Sequence, residues 1–366
     1  MFNISDIKKV EMSITGSCNA GCPLCARHIT GTSIVRENIN TGHLPLEHFY
    51  KFVDELGDNT KNIYNTFCGT IGDPLVHPNF SEMWQKSCEV FRRTNVDTNA
   101  SVRSTDYWEE LGLISRHYKN CAITFSIDGL KDTNPIYRVF TNFDKIIENA
   151  KAFIKAGGTA EWKFLVFEHN QHQVEEAKEL SKKLGFDNFI EQTSIRFSLK
   201  NLQRTEKLLE QGTIKGSKRS TDKFQKIKQI KSADSVDTNE TVERANIQNI
   251  ESIDCKSISQ GMLFLSHDSK VHPCCYFDAG KQTQEKQYTD YEENVIKLFG
   301  KYYNSIENHS VQDILENTYL ANYLPNSFKT LDQTLCDVCV KTCGVKNKET
   351  YWGITNRKQK LEVNVC

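Results

Sequence analysis

The chain has 366 residues and a formal net charge of −1, so nothing in its bulk charge draws it to nucleic acid or an anionic membrane. No run nears the ~18 apolar residues of a spanning helix and no apolar segment follows Met1, so a cytoplasmic protein is expected. The length predicts about two domains, and thirteen cysteines without a signal peptide point to thiolate metal ligation before a disulfide framework.

In chain order, Lys9–Thr15 alternates as a strand and ends at the first cysteine group. Leu46–Leu56 has helical spacing, and Asn62–Cys68 reads as extended. Ser81–Arg92 is helical, Val96–Val102 short and extended, and Asp106–His117 helical again. Ala122–Ile127 predicts a buried strand closed by Asp128-Gly129. Phe143–Ala156 and Gln173–Leu184 are amphipathic helices flanking the strand Ala160–Phe167, and Asn188–Arg196 supplies a sixth strand. Repeated βα units predict a parallel sheet with right-handed crossovers. Six are too few for an eight-fold barrel, so an open, partial (β/α)6 barrel is expected. The character changes near Lys200. Lys200–Lys231 is rich in Lys and Arg and reads as a solvated helix and linker, or as a docking surface for an acidic peptide or nucleic acid. Beyond Cys255 comes a hairpin pattern, Met262–Leu265, turn His267-Asp268-Ser269, Lys270–Pro273.

Ser17–Arg27 reads SCNAGCPLCAR, a C-x3-C-x2-C spacing straight after a strand. On one tight loop Cys18, Cys22 and Cys25 can hold three irons of a [4Fe–4S] cubane and leave the fourth open. A zinc site would want four protein ligands, and no fourth Cys or His falls within the loop, His28 being the nearest. Three further motifs sit at successive strand ends: Thr70–Pro78 (TIGDPLVHP), Thr98-Asn99-Ala100 and Ser126-Ile127-Asp128-Gly129, followed by Tyr137-Arg138. Alone, each is a turn or a helix cap; together they mark the end of a βα fold where ligands gather.

This set resembles the radical SAM superfamily. The resemblance implies an α/β fold, a partial (β/α)6 radical SAM barrel, and a cluster that cleaves S-adenosylmethionine (SAM) to a 5′-deoxyadenosyl radical. It implies that the Gly72, Asp73, Pro74 backbone receives the SAM amino group. Thr98 and Asn99 form the third motif, Ser126 and Asp128 meet the ribose, and Arg138 pairs with the SAM carboxylate. Leu24 stands where many relatives place an aromatic residue against adenine, Ala100 replaces a glycine, and Asp73 stands for a commoner Glu.

Downstream lie Cys255, Cys274, Cys275, Cys336, Cys339, Cys343 and Cys366. The pattern resembles the SPASM/twitch extension, a small α+β module carrying auxiliary Fe–S clusters, with Ser269 where that module usually has glycine. Seven thiols fall short of two complete cubanes. One auxiliary [4Fe–4S] cluster is therefore expected, on Cys255 and Cys274 plus two of Cys336, Cys339 and Cys343. A second, incomplete cluster using Cys366 and a zinc site are the alternatives. Cys275 reads as a thiol hydrogen donor, a spare ligand or a small buried side chain. Cys68, Cys88 and Cys121 fall in strand or helix patterns and are expected in the core. The resulting division is a radical SAM core over 1–199, a basic linker over 200–250 and an auxiliary-cluster domain over 251–366.

A peptide or protein substrate is the favoured reading, with an external electron donor of flavodoxin or ferredoxin type. Against it, the core begins at Lys9, which leaves no room ahead of it for a peptide-recognition domain. The reduced cysteine set favours a small molecule instead, as in a dehydrogenase or carbohydrate-modifying enzyme. RNA modification is disfavoured, because the basic segment lacks interleaved aromatic residues.

Overall fold

The structure, a computed structural model, describes residues 3–194, 214–218, 252–283, 286–331, 336–346 and 349–350. Most of the expected linker, with all but 214–218 of its basic stretch, and Cys366 lie outside them. Strands β1 (Lys9–Ser13), β2 (Tyr64–Phe67), β3 (Arg93–Thr98), β4 (Cys121–Ser126), β5 (Thr159–Val166) and β6 (Asn188–Thr193) pair in chain order, all parallel. Between them run helices α1 (Leu46–Leu56), α2 (Phe80–Val90), α3 (Thr105–Tyr118), α4 (Asn134–Tyr137), α5 (Phe143–Lys155) and α6 (Val174–Leu184). This is the βα alternation expected from the sequence. β3 differs in its bounds: it starts at Arg93 and stops at Thr98, because Ala100 turns to the left-handed region (φ 56°) and ends the extended run.

The expected hairpin forms as β8 (Met262–Ser266) and β9 (Val271–His272), but it does not stand apart from the core. β8 pairs parallel with β1, from Lys9↔Met262 to Ser13↔Ser266, and extends the main sheet to eight strands. Gly261 guides it there. Its carbonyl accepts from Lys8 and Lys9 N–H, and at φ 65° a Cβ on it would meet Asp6 O at 2.1 Å. A second sheet joins β7 (Ser252–Ile253), β10 (Gly344–Lys346) and β11 (Glu349–Thr350). Helices Cys275–Thr283, Lys286–Phe299, Val311–Glu316, Leu324–Thr330 and Asp337–Cys343 complete this part. Among the described residues no helix is long and apolar enough to cross a membrane.

The two faces of the main sheet differ in chemistry. Toward the helices it presents Val10, Met12, Val96, Ile123, Phe125, Trp162 and Phe164, all fully buried with Trp84, Trp108, Phe49 and Phe153. The alternate residues carry Glu11, Asn95, Asp97, Thr124, Glu161 and Lys163 to the opposite face. There Lys9 pairs with Glu11 (2.7 Å), Lys163 with Asp97 (3.7 Å), and Thr124 donates to Glu161 (3.2 Å). Parallel sheets usually bury both faces in apolar side chains. This one keeps a charged inner face.

A second core gathers Phe277, Tyr288, Val295, Tyr319, Leu324, Cys336, Cys339 and Val340. Cys68, Cys88 and Cys121 are buried as expected. Cys88 and Cys121 are joined in a disulfide, their Cα atoms 5.8 Å apart, a pairing that was not anticipated.

Candidate active site

The cysteine loop is held from its first residue. Beyond β1, Leu44 N–H donates to Ile14 O and Gly16 N–H to Gly42 O. A Cβ on Gly16 would fall 1.8 Å from Asn40 O, so only glycine allows this approach. Cys25 N–H donates to Cys22 O and His28 N–H to Cys25 O, coiling the loop so that all three thiols share one short turn. Three N–H donors face two of the sulfurs: Ala20 N at 3.4 Å and Asn99 Nδ2 at 3.8 Å from Cys18 Sγ, and Arg138 Nη1 at 3.8 Å from Cys22 Sγ. Burial pushes the Cys22 thiol up to about 11, against the Arg138 charge. Burial, then the Asp73 carboxylate, drives Cys18 up further. Such thiols ionise when they gain a metal ligand's worth of positive charge, which is what a cluster supplies. His28 Nδ1 lies 2.9 Å from Cys22 O; facing a carbonyl it is the N–H nitrogen, so His28 braces the loop backbone.

The glycine–acid–proline segment lies directly against this loop. Asp73 N–H donates to Ser17 O (2.8 Å), and a Cβ on Gly72 would meet Thr15 O at 2.1 Å and Ser17 O at 2.7 Å. Pro74 opens the turn Pro74–Val76, where its missing N–H costs nothing. The Asp73 carboxylate accepts from Leu75 N (3.0 Å), Thr98 Oγ1 (2.9 Å), Asn99 N (2.7 Å) and Asn99 Nδ2 (2.7 Å). Burial raises its pKa and these donors oppose the rise. Asp73 is thus a hub fixing the second motif to the third. Asn99 extends it to the loop by donating to Asn19 Oδ1 (2.9 Å), a contact the sequence reading missed because only the cysteine spacing of that loop was read.

His77 ends this segment, buried and neutral. Its Nε2 donates to Leu44 O (2.9 Å) and its Nδ1 accepts from Asn79 N–H (3.1 Å), so neither nitrogen has room for another proton. Burial pulls its pKa down to about 4, from 6.5. The folded chain therefore binds fewer protons there than the unfolded chain. The stability this confers is complete above pH 6.5 and is lost as pH falls from 6.5 to about 4, by about 3 kcal/mol in all. Urea midpoints measured across that window should show the fall, and His77→Gln should remove most of it.

At the fourth strand end, Ser126 and Asp128 are buried. Asp128 Oδ2 pairs with Arg138 Nε (2.6 Å), and Oδ1 accepts from Leu165 N–H (2.7 Å). Both oxygens of the carboxylate expected at the ribose are therefore engaged within the protein. Asn170, which the sequence reading also missed, donates to Asp128 O (2.8 Å) and Leu165 O (2.9 Å) and accepts from Phe167 N–H (2.7 Å). Leu24 is buried with Cys22, Tyr137, Phe167 and Ile214. Ile214 comes from the expected linker. Gly216 bridges Phe167 and Glu168 N–H donates to Lys215 O, so this part of 200–250 packs beside the cysteine loop. Where the basic stretch was read as a solvated helix and linker, Ile214, Gly216 and Ser217 of it are buried.

The C-terminal thiols also come together. β7–β10 pairing and the bond from Asp254 N–H to Cys343 O (2.9 Å) bring Cys255 beside Cys343. Burial pushes Cys274 up to about 12, and the Cys255 and Cys343 thiols add to the rise. Cys339 is raised by its hydrogen bond with Cys336, then by burial, with Cys274 and Cys255 next. Cys275 opens its helix directly after Cys274, half-buried. Among the described residues no three His, Cys, Asp or Glu side chains converge closely enough to hold one metal ion. The thiolates of a cubane bind separate irons and stand further apart.

The model of the radical SAM superfamily matches residues 12–181, which span the cysteine loop and all four motifs. No curated protein matches the chain. Among solved structures, SuiB of Streptococcus suis bound to S-adenosylmethionine is 13% identical over 74% of this chain and 61% of its own, with a TM-score of 0.47. This chain therefore spans less than two thirds of that protein. His-tagged anSMEcpe with bound AdoMet is 14% identical over 90% of this chain and 84% of its own, with a TM-score of 0.48. SuiB bound to the precursor peptide SuiA is 13% identical over 91% of this chain and 71% of its own, with a TM-score of 0.49. With the superfamily model covering the loop, the three strand-end motifs and Tyr137-Arg138, residues 12–181 of this chain match a radical SAM superfamily domain.

Proposed function

We propose that the chain is an enzyme that cleaves SAM reductively and abstracts hydrogen from a residue of a peptide or protein. The observation that carries this is the seating of Cys18, Cys22 and Cys25 on one turn, with Ala20, Asn99 and Arg138 donors facing the sulfurs and the Asp73 hub behind. The donor set fits a [4Fe–4S] cluster: three soft ligands, no fourth in the loop, and N–H groups that stabilise thiolate charge. When bound, that cluster supplies the electron that splits SAM into methionine and the radical that takes the hydrogen.

The residues around it do the positioning. Arg138, held at Nε by Asp128, keeps Nη1 on the loop side, where it can meet the SAM carboxylate as a fixed donor. The backbone at Gly72, Asp73 and Pro74 would receive the SAM amino group, Thr98 and Asn99 hold that segment in place, Ser126 would serve the ribose, and Leu24 would form an apolar wall. The C-terminal thiols would hold one auxiliary [4Fe–4S] cluster on Cys255, Cys274 and two of Cys336, Cys339 and Cys343, as a SPASM/twitch-like module does. Cys275 is the candidate thiol that returns hydrogen to the substrate. Electrons come from a donor of flavodoxin or ferredoxin type.

A small polar substrate is the second reading. It is favoured by the charged inner face carrying Asp97, Glu161 and Lys163. Reconstituted without oxygen, the full chain should bind about eight irons and release 5′-deoxyadenosine under dithionite. Cys255→Ala with Cys274→Ala should leave about four irons and keep the release. A wild-type chain with about four irons would remove the auxiliary cluster. A chain that binds iron yet never yields 5′-deoxyadenosine would remove the enzyme.

A further inference from the structure

At the other end of the main sheet, where β2 to β5 begin, lies a cavity of about 300 Å³ whose lining includes Tyr64, Arg92, Arg93, Lys119, Asn120 and Thr159. That volume is at the small end of ligand sites. Three cations line it and no carboxylate does. Among the described residues none of the three makes an ion pair. Arg92 lies over the Tyr64 ring (5.0 Å), and Arg93 Nε donates to Asn95 Oδ1 (3.2 Å).

The two turns that carry these cations are tied together by the fold. Asn120 Nδ2 donates to Cys88 O (2.9 Å) and Phe91 O (2.7 Å), and Thr94 N–H donates to Asn120 O (3.0 Å). These bonds clamp the turn that carries Arg92 and Arg93 to the turn that carries Lys119. Lys119 caps α3 in the left-handed region (φ 62°), its N–H donating to Ser115 O (2.8 Å). Glycine or asparagine suits that cap better, so the backbone there accepts strain with a lysine in place. The hollow thus gathers three positive charges with no carboxylate in its lining to balance them, which suits an anion.

We propose that this cavity is a second binding site, distinct from the cysteine loop, for a small phosphorylated anion carrying two or more charges. Phosphate oxygens would take the guanidinium forks and the Lys119 ammonium, with Thr159 and the free edge of Tyr64 as neutral partners.

The test is calorimetric titration of the cluster-loaded full chain with inorganic pyrophosphate, and separately with ADP, at low ionic strength in phosphate-free buffer. Pyrophosphate should bind one site. Lys119→Gly removes a charge while easing the cap, so it should weaken pyrophosphate about tenfold without lowering the melting temperature. Lys119→Asn, which also tolerates that backbone, should weaken it equally. 5′-Deoxyadenosine release in the absence of pyrophosphate should be unchanged. Tighter binding of ADP than of pyrophosphate would place a nucleotide in the site, and equal binding would place the phosphates alone; both uphold it. Sulfate binding as tightly as pyrophosphate, or full affinity in both Lys119 variants, would overturn it.

Discussion

Asp128→Ala should cost the fold about 3–5 kcal/mol, because it strips one partner from a buried ion pair. Asp128 has no exposed surface, and its two oxygens meet the Arg138 guanidinium at 2.6 Å and the Leu165 amide at 2.7 Å. Alanine would leave a guanidinium with little access to water and an amide without an acceptor, and each is expensive alone. Asp128→Asn keeps an acceptor for Leu165 and loses only the charge, so it should cost less. Asp128→Ala with Arg138→Met should recover much of the loss, since an apolar pair of similar size often replaces a buried ion pair without penalty. The double variant should nevertheless bind SAM poorly, having lost the guanidinium beside Cys22. Urea midpoints give the stabilities and equilibrium dialysis with labelled SAM the binding. An Asp128→Ala chain within 1 kcal/mol of wild type would mean that the pair does not lock the fourth strand end.

What the sequence disclosed was local. Leu46–Leu56 was legible to the residue because its apolar positions repeat at helical spacing over one uninterrupted run. The cysteine loop was legible because its ligands are adjacent in the chain. β3 was read too late because its inner face carries Asn95 and Asp97, so the strand begins without the apolar alternation that announces one. The β1–β8 pairing was invisible for another reason: its partners lie some 250 residues apart, and nothing in Met262–Ser266 names the edge it joins. The same holds within the site. Asp128 and Arg138 were each marked as facing the cofactor, and nothing in their spacing showed that they also pair with one another across α4. A motif tells which residues gather at a strand end. Which of them spend their charge on each other depends on a turn whose path only the folded chain fixes.

Replacing Cys18, Cys22 and Cys25 together with alanine should abolish 5′-deoxyadenosine release altogether, while about four irons per chain remain on the C-terminal thiols. The three sulfurs come from one loop, so no other described thiol stands ready to replace them; Cys68 is buried against Thr70 Oγ1 at 3.4 Å. The loop itself should survive, because apart from the Ala20, Asn99 and Arg138 donors the contacts that shape it do not pass through sulfur. Gly16 against Asn40, His28 on the Cys22 carbonyl, and the Asp73 hub on Asn99 and Ser17 all hold backbone or amide groups. The variant should therefore unfold within about 2 kcal/mol of the iron-free wild type, each exchange trading a small buried side chain for a smaller one. That separation gives the experiment its force. If the loop is the seat of the chemistry, activity falls to nothing while the fold and the second set of irons persist. Release that continued in the triple variant would move the electron's entry point elsewhere in the molecule, and zinc recovered from the wild-type loop would take away the redox chemistry that the radical SAM domain needs.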